Sequence, residues 1–276
     1  MKPGSANASD LALVLSGGGA RAAYQVGLLR HLASRHPDFA PGMLTGVSAG
    51  GIIALHLAGR PGSFDESVHH LSDLWRGLQP EDVFRVDPAD LSVRAVRWGL
   101  HLISGGVPGT PRARSLVDTS PLEAFLVRSL GAGPDGVLPG VASNLAAGVI
   151  RAVALTASSY STGQSITWVQ GVERPGALGW ERPQRVGLTC ALRVDHVMAS
   201  AALPFFFPAI EVDGSWYGDG GIRLTAPLSP AVHLGAGRII AVSTRYARSR
   251  EEADRPAVAG YPPPAQVAGV LLNAIF

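Results

Sequence analysis

The sequence predicts an α/β fold with a mostly parallel sheet, and two observations lead to this prediction. Short continuous apolar runs are typical of buried parallel strands, and they occur at 11–15, 43–47 and 239–243. Each of the first two runs is followed by a helical pattern, at 22–35 and 51–58. A strand, a loop and a helix repeated in this order begin a doubly wound sheet.

The other elements follow from local pattern and turn chemistry. Ser120 is expected to cap a helix, because Pro121 stands at its first position and Glu123 at the third. We expect loops at 131–140 and 175–183. Further helices are predicted at 64–78, 91–103, 121–130 and 193–202, and strands at 149–157, 165–170 and in a hairpin at 209–217 turning at Asp213-Gly214.

Composition limits the class of protein. Apolar residues make up 46% and charged residues 16%, which allows a sizeable core. The formal net charge is +2, from 23 basic against 21 acidic residues, so no nucleic-acid partner is expected. Cys190 is the single cysteine, which permits no disulfide within the chain.

We found no internal repeat and no linker, so we expect a flexible N-terminus, 1–10, followed by one domain, 11–276. The start of the chain lacks the order of a signal peptide, and no stretch approaches the ~20 apolar residues that span a bilayer. A cytoplasmic protein is expected. The chain stops at Phe276 within an apolar helical pattern, so we expect further residues beyond it; no oligomeric state follows from the sequence.

A motif suited to nucleophilic catalysis lies at 46–50, with the sequence Gly-Val-Ser-Ala-Gly. A serine between a strand and a helix, flanked by small residues, is typical of a nucleophile elbow. A plain structural turn is the alternative, because the chain has 34 glycines. About 30 residues earlier, the loop at 16–21 has backbone N–H groups that could hold an oxyanion. Together the two motifs predict acyl-transfer chemistry.

A serine nucleophile needs a base, and three residues are candidates. Asp219 lies between glycines after the hairpin, where a solvated turn is the alternative. His233 could act with Asp213 or Asp219 as its orienting carboxylate, although a surface or core histidine is more usual in such a helix. His196 lies in a helical pattern and is expected to be structural. A standard α/β-hydrolase is disfavoured, because only one strand–helix unit precedes the serine.

Several segments together resemble the patatin-like phospholipases over most of the chain. Ala22 departs from the family's glycine loop, which usually has a third glycine there, but alanine is small enough for the same packing. The resemblance is carried by 17–21 with 24–27, 46–50, 219–221, 199–204 with Pro208, and 227–231 before 234–236.

This resemblance implies a patatin-like three-layer α/β/α fold and a serine lipid acyl hydrolase of phospholipase A, lysophospholipase or esterase type. Ser48 would attack the ester and Asp219 would act as base without a histidine. The implied oxyanion hole comprises Gly17, Gly18 and Gly19, with the charge of Arg21 nearby. The supporting glycines are Gly46, Gly50, Gly220 and Gly221. We expect a lipid or acyl-ester substrate, and neither a metal nor a cofactor.

Other interpretations stay open at this stage. Residues 203–207 could wall an acyl pocket or belong to the core, and 91–103 could touch a membrane surface transiently or pack on the domain. A Gly-x-Gly-x-x-Ala pattern at 17–22 also fits dinucleotide binding, but Asp38 is misplaced for its ribose contact. A triad using His233 and a non-catalytic interaction protein are the remaining alternatives.

Overall fold

The computed structural model describes residues 10–86, 115–172, 179–224, 227–244 and 249–254, together with residue 263. The strands are β1 (Leu11–Leu15), β2 (Met43–Val47), β3 (Ala152–Ser159), β4 (Ser165–Gly171), β5 (Trp180–Arg182), β6 (Arg185–Thr189), β7 (Ile210–Val212), β8 (Ser215–Asp219) and β9 (Arg238–Val242). The helices are α1 (Ala22–Arg35), α2 (Ala49–Gly59), α3 (Phe64–Gly77), α4 (Ser120–Ser129), α5 (Pro139–Ala146), α6 (Val194–Ser200), α7 (Leu228–His233) and α8 (Arg250–Ala253). Single 3₁₀ turns lie at Gly19–Arg21, Pro80–Asp82 and Gly220–Ile222.

The strands form one mixed sheet with a parallel centre. Its order is β5-β6-β4-β3-β2-β1-β9, and β8 pairs with β3 and β7. Neighbours from β9 through β1 and β2 to β3 run parallel, whereas β4 and β8 both run antiparallel to β3. The predicted α/β fold with a mostly parallel central sheet is therefore confirmed.

Alternation along the strands separates two hydrophobic clusters, one on each face of the sheet. Leu13 and Leu15 of β1 belong to the larger cluster, which also contains the buried sides of α1, α2 and α3. Ala12 and Val14 face the other way and join a smaller cluster with Ala231 of α7. Helices thus cover both faces, which gives the three layers that the resemblance implied.

The structure differs from the sequence predictions in four respects. The helix α5 begins inside the predicted loop 131–140. Three elements were missed: β5, which lies inside the predicted loop 175–183 and pairs with β6 at the edge of the sheet, β6 itself, and the one-turn helix α8. The strand predicted from Val149 begins at Ala152, because the amides of residues 149 and 150 donate to the Asn144 carbonyl at the end of α5.

The fourth difference is the cap of α4. Thr119 occupies the N-cap position without a side-chain hydrogen bond, and α4 begins at Ser120 itself. The Ser120 hydroxyl instead donates a charge-assisted hydrogen bond to Asp118 Oδ2 at 2.9 Å.

The helix predicted at 91–103 lies outside the described residues. Within those that are described, no helix is long and apolar enough to cross a membrane.

Two glycines offer a test of how closely α2 and α5 pack. A Cβ on Gly140 would collide with the backbone of Gly59, whereas a Cβ on Gly27, on the exposed side of α1, would meet nothing within 4 Å. We expect Gly140→Ala to lower the free energy of unfolding by about 1–3 kcal/mol. Gly27→Ala should instead raise it by up to about 1 kcal/mol, because alanine favours helix. Urea unfolding of both variants measures this, and equal effects would contradict the predicted close contact.

Candidate active site

Ser48 occupies a strained turn between β2 and α2. Its backbone has φ 55° and ψ −131°, a left-handed conformation that costs a residue with a side chain on the order of 1–3 kcal/mol. The start of α2 holds the turn in place, because the Ser48 carbonyl accepts hydrogen bonds from the amides of Gly51 at 2.9 Å and Ile52 at 3.2 Å. The side chain is buried, with 5% exposure. This is the geometry expected of a nucleophile elbow.

The glycines on either side of Ser48 are required by close backbone contacts. A Cβ on Gly46 would overlap the backbone of Gly50 and Gly51, which pass across the end of β2. A Cβ on Gly50 would overlap the carbonyls of Leu15 and Ser16. The small-residue pattern around the serine is therefore a consequence of the sharp reversal from strand to helix.

Asp219 reaches the same place from the opposite direction, because β2 and β8 share one edge of β3. Val47, the last residue of β2, lies opposite Thr156, and Asp219, the last residue of β8, lies opposite Ala157. The two strands thus run toward each other and end at neighbouring positions of β3. Gly220 fills the junction, where a Cβ would collide with the Thr156 carbonyl.

The Asp219 carboxyl is almost completely buried, with 1% exposure. Its Oδ1 accepts a hydrogen bond from the Gly221 amide at 2.6 Å. Burial raises the pKa of the carboxyl to about 6, and interactions with the Ser48 side chain and the Gly221 amide oppose this shift. Oδ2 has no partner at regular hydrogen-bond geometry in the described chain. The Ser48 hydroxyl therefore lies within range of the carboxyl without forming a regular bond, as is common in free enzymes.

The glycine loop passes beside Ser48. A Cβ on Gly17 would lie 3.3 Å from the Ser48 Cβ, so the two backbones are in contact there. Gly19 has φ 52°, which favours glycine, and the space where its Cβ would be is open. Among the described residues, the amides of Gly17, Gly18 and Gly19 have no hydrogen-bond acceptor. Arg21 is exposed at the end of the loop. Unsatisfied amides beside a serine could bind an anionic oxygen.

Buried polar side chains hold this loop rigidly. Gln25 Nε2 donates to the Ser16 carbonyl at 2.7 Å, with the glutamine completely buried. Thr244 follows β9 and binds the loop twice, through its amide to Ser16 Oγ at 3.1 Å and through its hydroxyl to the Gly17 carbonyl at 2.8 Å. The loop is thus anchored to α1 on one side and to the end of β9 on the other.

The sequence analysis missed three polar residues of the site. Thr244 could have been found, because it directly follows a predicted parallel strand, where functional side chains collect at the carboxyl edge. Ser200 donates to Thr156 and accepts from the Ser48 amide, contacts that no local pattern indicates. Tyr160 lies near Asp219: burial, and then the charge of Asp219, raise the pKa of its phenol.

The other candidate bases lie elsewhere. His233 stacks on Trp180 with ring centroids 4.5 Å apart, and burial and two nearby arginines lower its pKa. Asp213 pairs with Arg193 at 3.0 Å and so does not orient His233. His196 is completely buried and accepts a hydrogen bond from the Arg193 amide, as a structural histidine does. Neither histidine bonds to Ser48 or Asp219 within the part of the chain that the structure describes.

The phenylalanines at 205–207 divide between core and surface. Phe207 packs in the larger cluster, whereas Phe205 is 56% exposed and has a left-handed backbone with φ 67°.

A cavity of about 560 Å³ lies away from Ser48, where α2, α3 and α4 end, and its lining includes Arg60, His70 and Arg128. Across the described ranges, no three His, Cys, Asp or Glu side chains are grouped so that they could hold a metal ion.

Comparisons with known proteins show what this chain is similar to. No curated protein matches the chain. Among solved structures it is similar to VipD from Legionella pneumophila, with 14% identity and a TM-score of 0.40, covering 77% of this chain and 45% of that one. It is also similar to human GIVD cytosolic phospholipase A2, with 17% identity and a TM-score of 0.37, covering 81% of this chain and 32% of that one.

A third similar structure is the type III effector ExoU of Pseudomonas aeruginosa, with 16% identity and a TM-score of 0.35, covering 82% of this chain and 50% of that one. The chain therefore spans between about a third and a half of the length of these structures. The family model for patatin-like phospholipases matches residues 13–232, which include both Ser48 and Asp219. This match covers most of the chain: the chain belongs to the patatin-like phospholipase family.

Proposed function

We propose that this chain is a serine lipid acyl hydrolase, in which Ser48 attacks a carboxylic ester and Asp219 acts as the base. One observation carries the proposal: the buried Asp219 carboxyl, one oxygen of which has no regular hydrogen bond within the described residues, lies at the end of β8 and interacts with the serine of a strained turn. A serine hydroxyl is a weak nucleophile until a neighbouring base accepts its proton.

The reaction has two steps. In the first, Asp219 Oδ2 accepts the proton of the Ser48 hydroxyl while Oγ bonds to the ester carbonyl carbon. The tetrahedral intermediate collapses, the alcohol leaves with the proton from Asp219, and an acyl group remains on Ser48. In the second step Asp219 takes a proton from water, which attacks the acyl carbon. Ser48 regains its proton and the free acid leaves.

The environment of Asp219 suits this role. A carboxylate with an ordinary pKa is a poor base, and burial brings the pKa of Asp219 to about 6, closer to neutral pH. The Gly221 amide binds Oδ1, and within the described residues Oδ2 has no regular hydrogen bond, so Oδ2 can act as the proton acceptor. The carboxyl is thus ionised at neutral pH but readily accepts a proton.

The glycine loop supplies the oxyanion hole in this proposal. The amides of Gly17, Gly18 and Gly19 have no acceptor in the part of the chain that the structure describes, and Gly17 contacts Ser48. Each amide that bonds the developing negative charge contributes about 3 kcal/mol to transition-state stabilisation. Because Gln25 and Thr244 anchor the loop, its donors are already in place before the substrate binds. Arg21 adds positive charge at the loop's exposed end.

The rival functions have less support. A triad needs a histidine bonded to the serine, and His233 instead stacks on Trp180. Dinucleotide binding requires an open glycine loop before the first helix, but the Ser48 turn packs against this one at Gly17. The residues that the proposed chemistry uses are all in place, which favours a hydrolase over a non-catalytic interaction protein.

The serine and the aspartate should both be needed for activity. We expect Ser48→Ala and Asp219→Asn to lower the hydrolysis rate of a p-nitrophenyl acyl ester by about a thousandfold or more. A fluorophosphonate probe should label the wild type and fail to label Ser48→Ala. His233→Ala serves as the matched control and should keep its rate. Loss of activity in His233→Ala with retention in Asp219→Asn would establish the triad instead.

The pH dependence of kcat/KM should report the ionisation of Asp219 in the free enzyme. Asp219 accepts a proton only as the carboxylate, so activity should rise with pH and level off above the pKa of about 6. Initial rates between pH 4 and pH 9 measure this limb. A limb centred near pH 4 would mean that the base is an exposed carboxylate.

The same burial should make stability depend on pH. The pKa of Asp219 is raised from 3.8 to about 6 in the folded state, so stability is fully present below pH 4 and is lost as pH rises through 6. Asp219→Asn removes this penalty and should be more stable than the wild type by about 3 kcal/mol at pH 8, with the difference shrinking toward zero at pH 4. Urea unfolding at both pH values tests it, and a difference independent of pH would contradict it.

A further inference from the structure

The hydrogen-bond ladder between β2 and β3 is interrupted at Ser48. The odd-numbered residues of β3 bond toward β4, as the Ser159 amide does with Gln164 at 2.9 Å. The even-numbered residues bond toward β2, beginning with the Ala152 amide and the Gly42 carbonyl at 3.4 Å. Since Val47 lies opposite Thr156, a regular parallel ladder would continue with the Ser48 amide donating to the Thr156 carbonyl.

The Ser200 hydroxyl replaces that bond. Ser200 Oγ accepts a hydrogen bond from the Ser48 amide at 3.0 Å and donates one to the Thr156 carbonyl at 2.6 Å. Ser200 has no exposed surface, so both of its side-chain hydrogen bonds are shielded from solvent. The hydroxyl therefore links the Ser48 amide to the Thr156 carbonyl at the point where β2 ends.

The same short segment also holds Asp219. Two residues after Ser200, the Ala202 carbonyl accepts a hydrogen bond from the Asp219 amide at 2.8 Å. The end of α6 thus binds the backbone of Ser48 through a side chain and the backbone of Asp219 through a carbonyl. No other described segment bonds to the main chain of both residues.

We propose that Ser200 is a positioning residue that fixes the Ser48 turn relative to Asp219 by inserting its hydroxyl between Ser48 and Thr156. This inference rests on the proposed function, because it concerns the same serine and aspartate. Without the hydroxyl, the Ser48 amide either stays unpartnered or moves to bond Thr156 directly. In the first case the turn loses the contact that holds it in position, and in the second the turn moves toward β3. A misplacement of the Ser48 side chain by about 1 Å lowers a rate by about a hundredfold.

Ser200→Ala tests the proposal, with Ser158→Ala as the matched control. The Ser158 hydroxyl is also buried on this part of β3 but has no hydrogen-bond partner among the described residues. We expect Ser200→Ala to lower kcat for a p-nitrophenyl ester and the labelling rate by a fluorophosphonate about 10- to 100-fold, with KM within twofold. Ser158→Ala should match the wild type. An unchanged kcat in Ser200→Ala, or an equal loss in Ser158→Ala, would overturn the inference.

The pH profile separates positioning from general loosening. The Ser48 side chain lowers the pKa of Asp219, so a displaced Ser48 should move the acidic limb of kcat/KM to higher pH in Ser200→Ala. A structural defect that only reduces the folded fraction would scale the whole profile without moving its limb, and that result would count against the proposal.

If Ser200→Ala is unstable, Ser200→Thr and Ser200→Val are compared with each other instead. Threonine and valine side chains have nearly the same shape, and only threonine has the hydroxyl. We expect threonine to retain at least tenfold more activity than valine. Equal rates, with hydrolysis still dependent on Ser48, would refute the role of Ser200 and leave the proposed function standing. A wild type with neither Ser48-dependent hydrolysis nor labelling would overturn both.

Discussion

One edge of β3 is shared by two strands that run toward each other, and the rest of the site depends on this pairing. The strand β2 leaves the edge opposite Thr156, and β8 arrives opposite Ala157. There is no room for side chains where the strands end, which explains the glycines at 46, 50 and 220. The register of β2 and β8 on β3 therefore brings Ser48 and Asp219 together, and the loops around the two residues only complete the site.

This arrangement has energetic costs that the surrounding structure offsets. Ser48 has a left-handed backbone, and Asp219 has an almost completely buried carboxyl with one unpartnered oxygen. Each feature costs on the order of 1–3 kcal/mol. The strands β1, β2 and β3 bury apolar side chains on both faces of the sheet, and the free energy of this burial offsets both costs.

Much of the fold was predictable, because its signals are local. The bounds of β1, α1 and β2 match the prediction, since continuous apolar runs and helical periodicity identify them directly. The edge strand β5 and its neighbour β6 were missed because short exposed strands depend on backbone pairing and not on apolar pattern. The Ser48, Asp219 and glycine-loop motifs were visible in sequence, but the roles of Ser200 and Thr244 were not. Ser200 bonds to a residue 152 positions away, a relation that only the register of the folded sheet creates.

The late position of β8 has a consequence for protein synthesis. Ser48 and the glycine loop precede Asp219 in the chain and leave the ribosome before it, and Asp219 ends a strand, β8, that can pair with β3 only once residue 219 has been made. A nascent chain that stops before β8 has the serine turn without its carboxyl neighbour. In the proposed mechanism such a chain cannot hydrolyse an ester, because the base that accepts the serine proton has not yet been made.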